Sequence, residues 1–155
     1  MKEIKLTQGQ VALVDDDNFE VLNQFKWCAQ KHRNTYYAIR TILVNDKNKT
    51  IRMHNVIMGG KGVDHINRNG LNDQRSNLRF CTNSQNHMNR RKRKNTSSIY
   101  KGVSFHKRTG KWMASIGIND KKIHLGYFDI EVEAAKSYNN KAIELFGEFA
   151  NLNNV

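Results

Sequence analysis

Asp64 and His65 are adjacent, and Asn86 follows His65 by 21 residues. A carboxylate and a neutral amide oxygen form a hard, low-charge donor set that suits Mg²⁺, with phosphate oxygens and water completing the shell. A histidine beside such a set titrates near neutral pH and can take a proton from water. Those three groups together are what metal-assisted phosphodiester hydrolysis requires. A lone Asp-His pair is also a common structural arrangement, so residue types and spacing leave both readings open.

The three residues fall in "VDHINRNGLNDQRSNLRFCTNSQNHMN", residues 63–89, where seven of 27 positions are asparagine. Asparagine is a poor helix or strand former and marks turns and caps. Asp64 follows the β-branched Val63, where a strand gives way to a loop; residues 67–76 read as loop, and a helix starts from about Thr82. A strand, an ordered loop and a helix can bring an aspartate, a histidine and an amide to one place.

Upstream, Ile4, Leu6, Val11, Leu13 and Val14 alternate with polar residues, which predicts short strands around a turn at Gly9. Asp15 to Asp17 are suited to cap a short helix containing Phe19, Val21, Leu22 and Phe25. "YYAIRTILVNDKNKTIRMHNVIM" reads as a hairpin turning at "NDKNK", ended by the glycines of "MGGKGV". Trp27, Tyr36 and Tyr37 read as packing residues. Cys28 and Cys81 are far apart and read as small buried hydrophobes in a reducing compartment, not as a disulfide or zinc site.

Charge points to the partner. Lys and Arg number 26 against 14 Asp and Glu, a net charge of +12. The excess is local: residues 74–119 hold eleven Lys and Arg and no acidic residue. A solvated face normally mixes both signs, so a polyanion, nucleic acid above all, is the expected partner. No apolar run reaches the roughly 18 residues of a membrane span, and "MKEIKLTQGQ" lacks a signal-peptide core. The expectation is an intracellular, cytoplasmic protein, in a bacterial host if phage-encoded, with no membrane and no protein partner implied.

The order of residues in 63–89 resembles the HNH endonucleases, particularly phage and intron-encoded homing endonucleases: a hydrophobic residue, Asp-His, Asn-x-x-Asn-like spacing, a short loop, Asn-Leu-Arg, then Asn in the next helix. "IRMHNVIMG" looks like the strand that precedes the motif in that family. The resemblance implies a ββα-metal fold, with Asp64 and Asn86 as ligands of one divalent ion, Mg²⁺ or another such as Mn²⁺. It implies His65 as general base and Asn77 as the middle asparagine that fixes the loop and helps orient the histidine ring. His54 either faces the scissile strand or packs. The chain departs from the family pattern in "LNDQR", where Asn72 and Asp73 are swapped and Gln74 replaces an arginine, and at Asn55, which is often arginine.

After the motif, "RRKRKNTSS" has no apolar residue and reads as a basic arm or linker; Arg90, Arg91, Lys92 and Arg93 are expected to meet phosphates. "IYKGVSFHKRTGKWMASIGINDKKIHLGYFD" then gives three short strands with turns at "KRTGK" and "NDKK". A helix follows with Val132, Ala135, Tyr138, Ala142, Leu145 and Phe146 on one stripe, Asp129 as N-cap and Gly147 as its end. From Tyr100 to the terminal "ANLN" this region resembles the plant ethylene-response-factor (Apetala-type) DNA-binding domain through Tyr100, Gly102, Val103, Gly110, Lys111, Trp112, Leu125, Gly126, Phe128, Asp129, Ala134, Ala135, Tyr138, Ala142 and Gly147. That resemblance implies a sheet lying in the major groove with the helix bracing its back. One sheet face is expected to carry Lys101, His106, Lys111 and Lys122 or His124 to DNA, joined by Lys107 and Arg108 from the turn and by Trp112, whose alternative is a place in the core.

The expected architecture is therefore α+β: an HNH nuclease domain over 1–93, a basic or polar linker over 94–99, and an Apetala-type domain over 100–155. The expected function is cleavage of double-stranded DNA as a homing endonuclease. The rival is a DNA-binding regulator or nuclease relic that binds without cutting.

Overall fold

The alternating N-terminus does form two strands, β1 (Lys2–Lys5) and β2 (Val11–Val14), paired antiparallel around a 3-10 turn at Thr7–Gly9. This computed structural model describes all residues except Arg93, Lys94 and Asp120. The chain divides into two units, Met1–Thr82 and Asn83–Val155.

In the first unit, α1 (Asp16–Asn23) follows with Asp15 at its N-cap. The Asp15 carboxylate does not cap the helix. It accepts from the backbone N–H of Arg75 at 2.7 Å and from Gln74 Nε2 at 3.4 Å, tying the helix start to the loop of the motif. Three strands come next in the order β3 (Cys28–His32), β4 (Thr35–Val44), β5 (Lys47–Arg52), all antiparallel. Asn45 and Asp46 turn the β4–β5 hairpin with φ of 49° and 57°, a left-handed pair that asparagine and aspartate tolerate.

The hairpin ends earlier than the sequence suggests. "IRMHNVIMG" is not a strand preceding the motif: β5 stops at Arg52 and Met53–Met58 form the helix α2. Met53 and Ile57, four residues apart and both buried, need one helical face. Gly59, at φ 71°, closes the helix by donating its N–H to Asn55 and Val56 carbonyls. Cys28 and Cys81 also differ from expectation. Cys28 is exposed on the outward side of β3, with Ala29 turned inward, and Cys81 is half-buried; both thiols are free.

β6 (Val63–His65) pairs antiparallel with β7 (Leu78–Phe80), the intervening loop closing through a 3-10 turn at Arg75–Asn77. The loop is stitched to β2: Leu13 N–H donates to Leu71 O and Asp73 N–H to Leu13 O, both at 2.8 Å. Gly70 permits the close approach to β4, because a Cβ there would lie 2.5 Å from the Tyr36 carbonyl and the Tyr37 ring. Ile4, Ala12, Val14, Leu22, Trp27, Ala38, Met53, Ile57, Leu71 and Leu78 form the core beneath. Trp27 is wholly inside, donating Nε1–H to Leu22 O at 2.8 Å.

The second unit starts with α3 (Asn83–Met88), near where the sequence places a helix. β8 (Val103–His106), β9 (Lys111–Ile118) and β10 (Lys121–Phe128) form an antiparallel meander with β9 central, and α4 (Glu131–Phe146) packs on one face. Ala134 and Ala135 meet Val103 and Ala114, while Tyr138, Ala142 and Phe146 meet Ile116. Gly102, at φ 78°, admits the Tyr138 ring where any Cβ would collide with it. Ile130, not Asp129, is the N-cap of α4: its backbone is still extended and its carbonyl accepts the Ala134 N–H at 3.3 Å, while Asp129 pairs with Lys111 at 3.1 Å. Glu131 is occupied too: its carboxylate accepts from Ser98 Oγ at 2.6 Å and Ile99 N–H at 3.2 Å, so part of the polar stretch before β8 is bound to the helix. Asn153 explains the terminal "ANLN": its side-chain amide bonds the backbone N–H and C=O of Lys101, and its own backbone N–H and C=O bond Oδ1 and Nδ2 of Asn139. Among the described residues no helix is long and apolar enough to cross a membrane.

Candidate active site and DNA-facing sheet

β6 brings Asp64 and His65 to the edge of the first core with their side chains on opposite sides of the strand. Asp64 stands directly opposite Arg79 on β7, and the guanidinium holds its Oδ2 at 3.2 Å. Both are largely buried, so the pair is far less screened than a surface ion pair.

His65 points to the side where α2, β4 and the loop converge. Its Nε2 lies 2.8 Å from Asp73 Oδ1, and neither group is exposed. The His54 ring from α2 stands edge-on to His65, with centroids 4.8 Å apart, and Tyr37 from β4 closes the group at 5.6 Å from His54 and 5.7 Å from His65. His54 is 3% exposed. Of its two expected roles, packing is the one this burial accords with. Burial, then the neighbouring His65 and Arg52, drive the His54 pKa down to about 3, so its ring is neutral at any moderate pH. Burial pushes the Asp73 carboxyl up, against the lowering effect of the bond from His65. Tyr37 is likewise raised, first by burial and also by Asp64 and Asp73, against Arg52.

Asn77 clamps the loop. Its Oδ1 accepts from Asn67 N–H at 3.0 Å, its Nδ2 donates to Asn72 O at 2.7 Å, and its carbonyl accepts from Ile66 N–H at 2.8 Å. The residue that bonds the His65 ring at Nε2 is Asp73, one of the two swapped positions in "LNDQR". Asn86 lies on α3 in the second unit, exposed, as is its neighbour His87.

As donors, Asp64 and an amide oxygen fit a hard divalent cation. The Arg79 pair does not oppose this, since a carboxylate has two oxygens and about four lone-pair sites. A second donor set stands apart from it. One ligand atom each from His54, His65 and Asp73 lie within 4.8 Å of one another, all three residues buried.

In the second unit, strand register sorts the expected contacts. His106 pairs with Lys111, Lys122 with Gly117 and His124 with Ser115, which puts His106, Lys111, Lys122 and His124 on the face away from α4. A bulge between His124 and Gly126 shifts the parity, so Tyr127 joins that face. Its ring sits 5.1 Å from His106 and 4.7 Å from His124, and it is 44% exposed. Sequence reasoning missed Tyr127. Trp112 has the opposite parity: it packs on the helix side with Val103 and Ala114, edge-on to Phe105 at 5.1 Å. Lys101 is off the sheet face, its Nζ donating to Met88 O at 2.7 Å. Lys107 and Arg108 are exposed in the β8–β9 turn, Arg90 and Arg91 are exposed after α3, and Lys92 donates to Thr96 Oγ1. Arg93 lies outside the described residues.

No family model matches the chain. Similar proteins fall into two groups. The AP2-like ethylene-responsive transcription factor TOE2 of Arabidopsis thaliana is 39% identical over 66 residues, 43% of this chain and 14% of that protein. APETALA2-like protein 2 of Oryza sativa subsp. japonica is 41% identical over 64 residues, 41% of this chain and 15% of that protein. The likeness to the plant factors is thus partial on both sides. The uncharacterized HNH endonuclease L560 of Acanthamoeba polyphaga mimivirus is 33% identical over 149 residues, 96% of this chain and 77% of that protein. Because that likeness runs along nearly the whole chain, through the strand of Asp64 and His65 and both units, the chain belongs to the HNH endonuclease family.

Proposed function

We propose that this protein hydrolyses phosphodiester bonds of double-stranded DNA as a site-directed, homing-type endonuclease. The observation that carries the reading is His65: it follows Asp64 on β6 and its Nε2 is bonded to a fully buried carboxylate. An ionised Asp73 accepting from Nε2 keeps the ring proton on that nitrogen and the lone pair on Nδ1, where it takes a proton from the attacking water. His54 and Tyr37 pack the ring against rotation, and Asn77 holds the loop that carries Asp73.

Asp64 and Asn86 are the proposed ligands of one divalent ion, Mg²⁺ or Mn²⁺. Bound there, the ion would polarise the scissile phosphate and offset charge on the leaving 3′ oxygen. Arg79 fixes the rotamer of Asp64. In the second unit, the face bearing His106, Lys111, Lys122, His124 and Tyr127 is proposed to read base edges in the major groove, as the plant relatives' DNA-binding resemblance suggests. Arg90, Arg91 and Lys92 add phosphate contacts. A DNA-binding protein that does not cut would share this second surface, so the decisive experiment is cleavage. Purified protein with supercoiled plasmid should nick or linearise it with Mg²⁺ and leave it intact in chelator. Binding without cutting at any divalent ion would leave the regulator reading.

A further inference from the structure

The hydrogen bond between His65 and Asp73 leaves two neighbouring buried polar atoms unanswered. His54 Nδ1 and Asp73 Oδ2 have no hydrogen-bond partner, and both are shielded from water. His54 Nδ1 is 3.9 Å from Asp73 Oδ1, too far to bond. An orphaned buried nitrogen and an orphaned buried oxygen in one cluster each leave a desolvation cost unanswered. A shared cation would answer both.

We propose that His54 Nδ1, His65 Nε2 and the Asp73 carboxylate form a second metal site, for a borderline transition ion such as Zn²⁺, and that filling it switches the nuclease off. Two imidazoles and one carboxylate are the donors of zinc and not of magnesium. Ligands about 2.0–2.1 Å from a tetrahedral zinc stand about 3.3 Å apart. The separations of 2.8 and 3.9 Å from Asp73 Oδ1 bracket that value, and all three ligand atoms lie within 4.8 Å of one another, so filling the site draws the rings together by at most about 1.5 Å. Arg52 and Tyr37 pack beside the group without supplying a further carboxylate.

The switching follows from the valence of imidazole and rests on the proposed role of His65 as base. Zinc bonding at Nε2 displaces the ring's single proton from that nitrogen, and the proton is taken up through solvent at Nδ1, so that the ligand stays a neutral imidazole with its N–H on Nδ1. Both nitrogens are occupied, so His65 has no lone pair with which to take a proton from water. Mg²⁺ at Asp64 would be untouched. The enzyme would bind DNA and magnesium and not cut.

Zn²⁺ titrated into the full chain against a chromophoric chelator should show one tight site, and Co²⁺ in its place should give visible d–d absorption bands. His54→Ala and Asp73→Asn should each weaken Zn²⁺ by at least about 10–100-fold, whereas Asp64→Ala, Asn86→Ala and the surface control His106→Ala should not. Circular dichroism checks that the variants fold, and Asp73→Asn keeps the shape of the side chain. In plasmid cleavage, Zn²⁺ should suppress the Mg²⁺-supported rate of wild type, and suppress the rate of His54→Ala far less relative to its own zinc-free rate. No tight Zn²⁺ binding, meaning a hydrogen-bonded cluster only, would overturn the proposal. So would binding that is lost with Asp64 or His106 and kept without His54. A protein that never cleaves but binds Zn²⁺ through these residues would sink the nuclease reading and leave the site standing.

Discussion

The two units deploy the same residue types in opposite ways. In the first, two histidines, two aspartates and an asparagine are buried, and nearly every one has a named partner close by. In the second, His124, Lys122 and Tyr127 lie exposed on an open sheet face with His106. The contrast fits a division of labour. Moving a proton needs a group held in one tautomer and one orientation by desolvated neighbours. Reading a base edge needs donors left open to a partner that arrives from solution. A buried polar cluster is costly unless satisfied, so it is a stronger pointer to chemistry than an equally polar surface.

If that division holds, changes at the buried cluster should leave DNA affinity intact, and changes on the open sheet face should leave the cleavage rate intact. Asp64→Ala should abolish cleavage at every Mg²⁺ concentration while DNA affinity, measured by gel shift, stays within a few-fold. Retained cleavage would remove Asp64 from the site. Tyr127→Ala or His124→Ala should do the reverse. Each should weaken binding to the preferred site about 10–100-fold, the worth of a good base contact, with the rate at saturating DNA unchanged. Equal losses on preferred and random DNA would instead make them phosphate contacts.

Much of this layout is legible in the sequence, and what is not has physical causes. The motif strand, the meander and the stripe of α4 follow from local alternation and spacing. α2 is hidden because "IRMHNVIM" is rich in β-formers; its helical state is chosen by burying Met53 and Ile57 together. β3, "CAQKH", buries only Ala29 and so carries almost no hydrophobic pattern. At the site, Asp64, His65 and Asn77 stand out by order. Asp73 reads as one more turn residue in an asparagine-rich loop, and only the bonds to β2 turn it inward. Tyr37 and His54 arrive from other elements. Tyr127 escapes because the bulge after His124 breaks simple alternation.

The buried cluster also predicts a pH response. His54 binds a proton near pH 6.5 when unfolded but only near 3 when folded. Between those values the unfolded state holds more protons, so stability falls as pH falls from about 6.5 toward 3, by up to about 1.4 kcal/mol per unit. Asp73, whose folded pKa is raised, offsets part of this at the acid end. Urea denaturation of wild type and His54→Phe at pH 7 and pH 5 should show a smaller acid loss in the variant; equal losses would place the acid sensitivity elsewhere. The smallest effect expected is at the arm. Replacing Arg90 and Arg91 by alanine should weaken binding to all sequences alike and lower the salt slope by about one per cation lost, while a change in site preference would give the arm a reading role.

The division of labour stands or falls on His65. The single-turnover cleavage rate of His65→Ala on a saturating DNA substrate with Mg²⁺ should be about 10²–10⁴ below wild type, the usual contribution of a general base, with DNA affinity nearly unchanged. Cleavage by His65→Ala at the wild-type rate would show that the buried histidine does not activate the water, and that the first unit's polar cluster serves the fold alone.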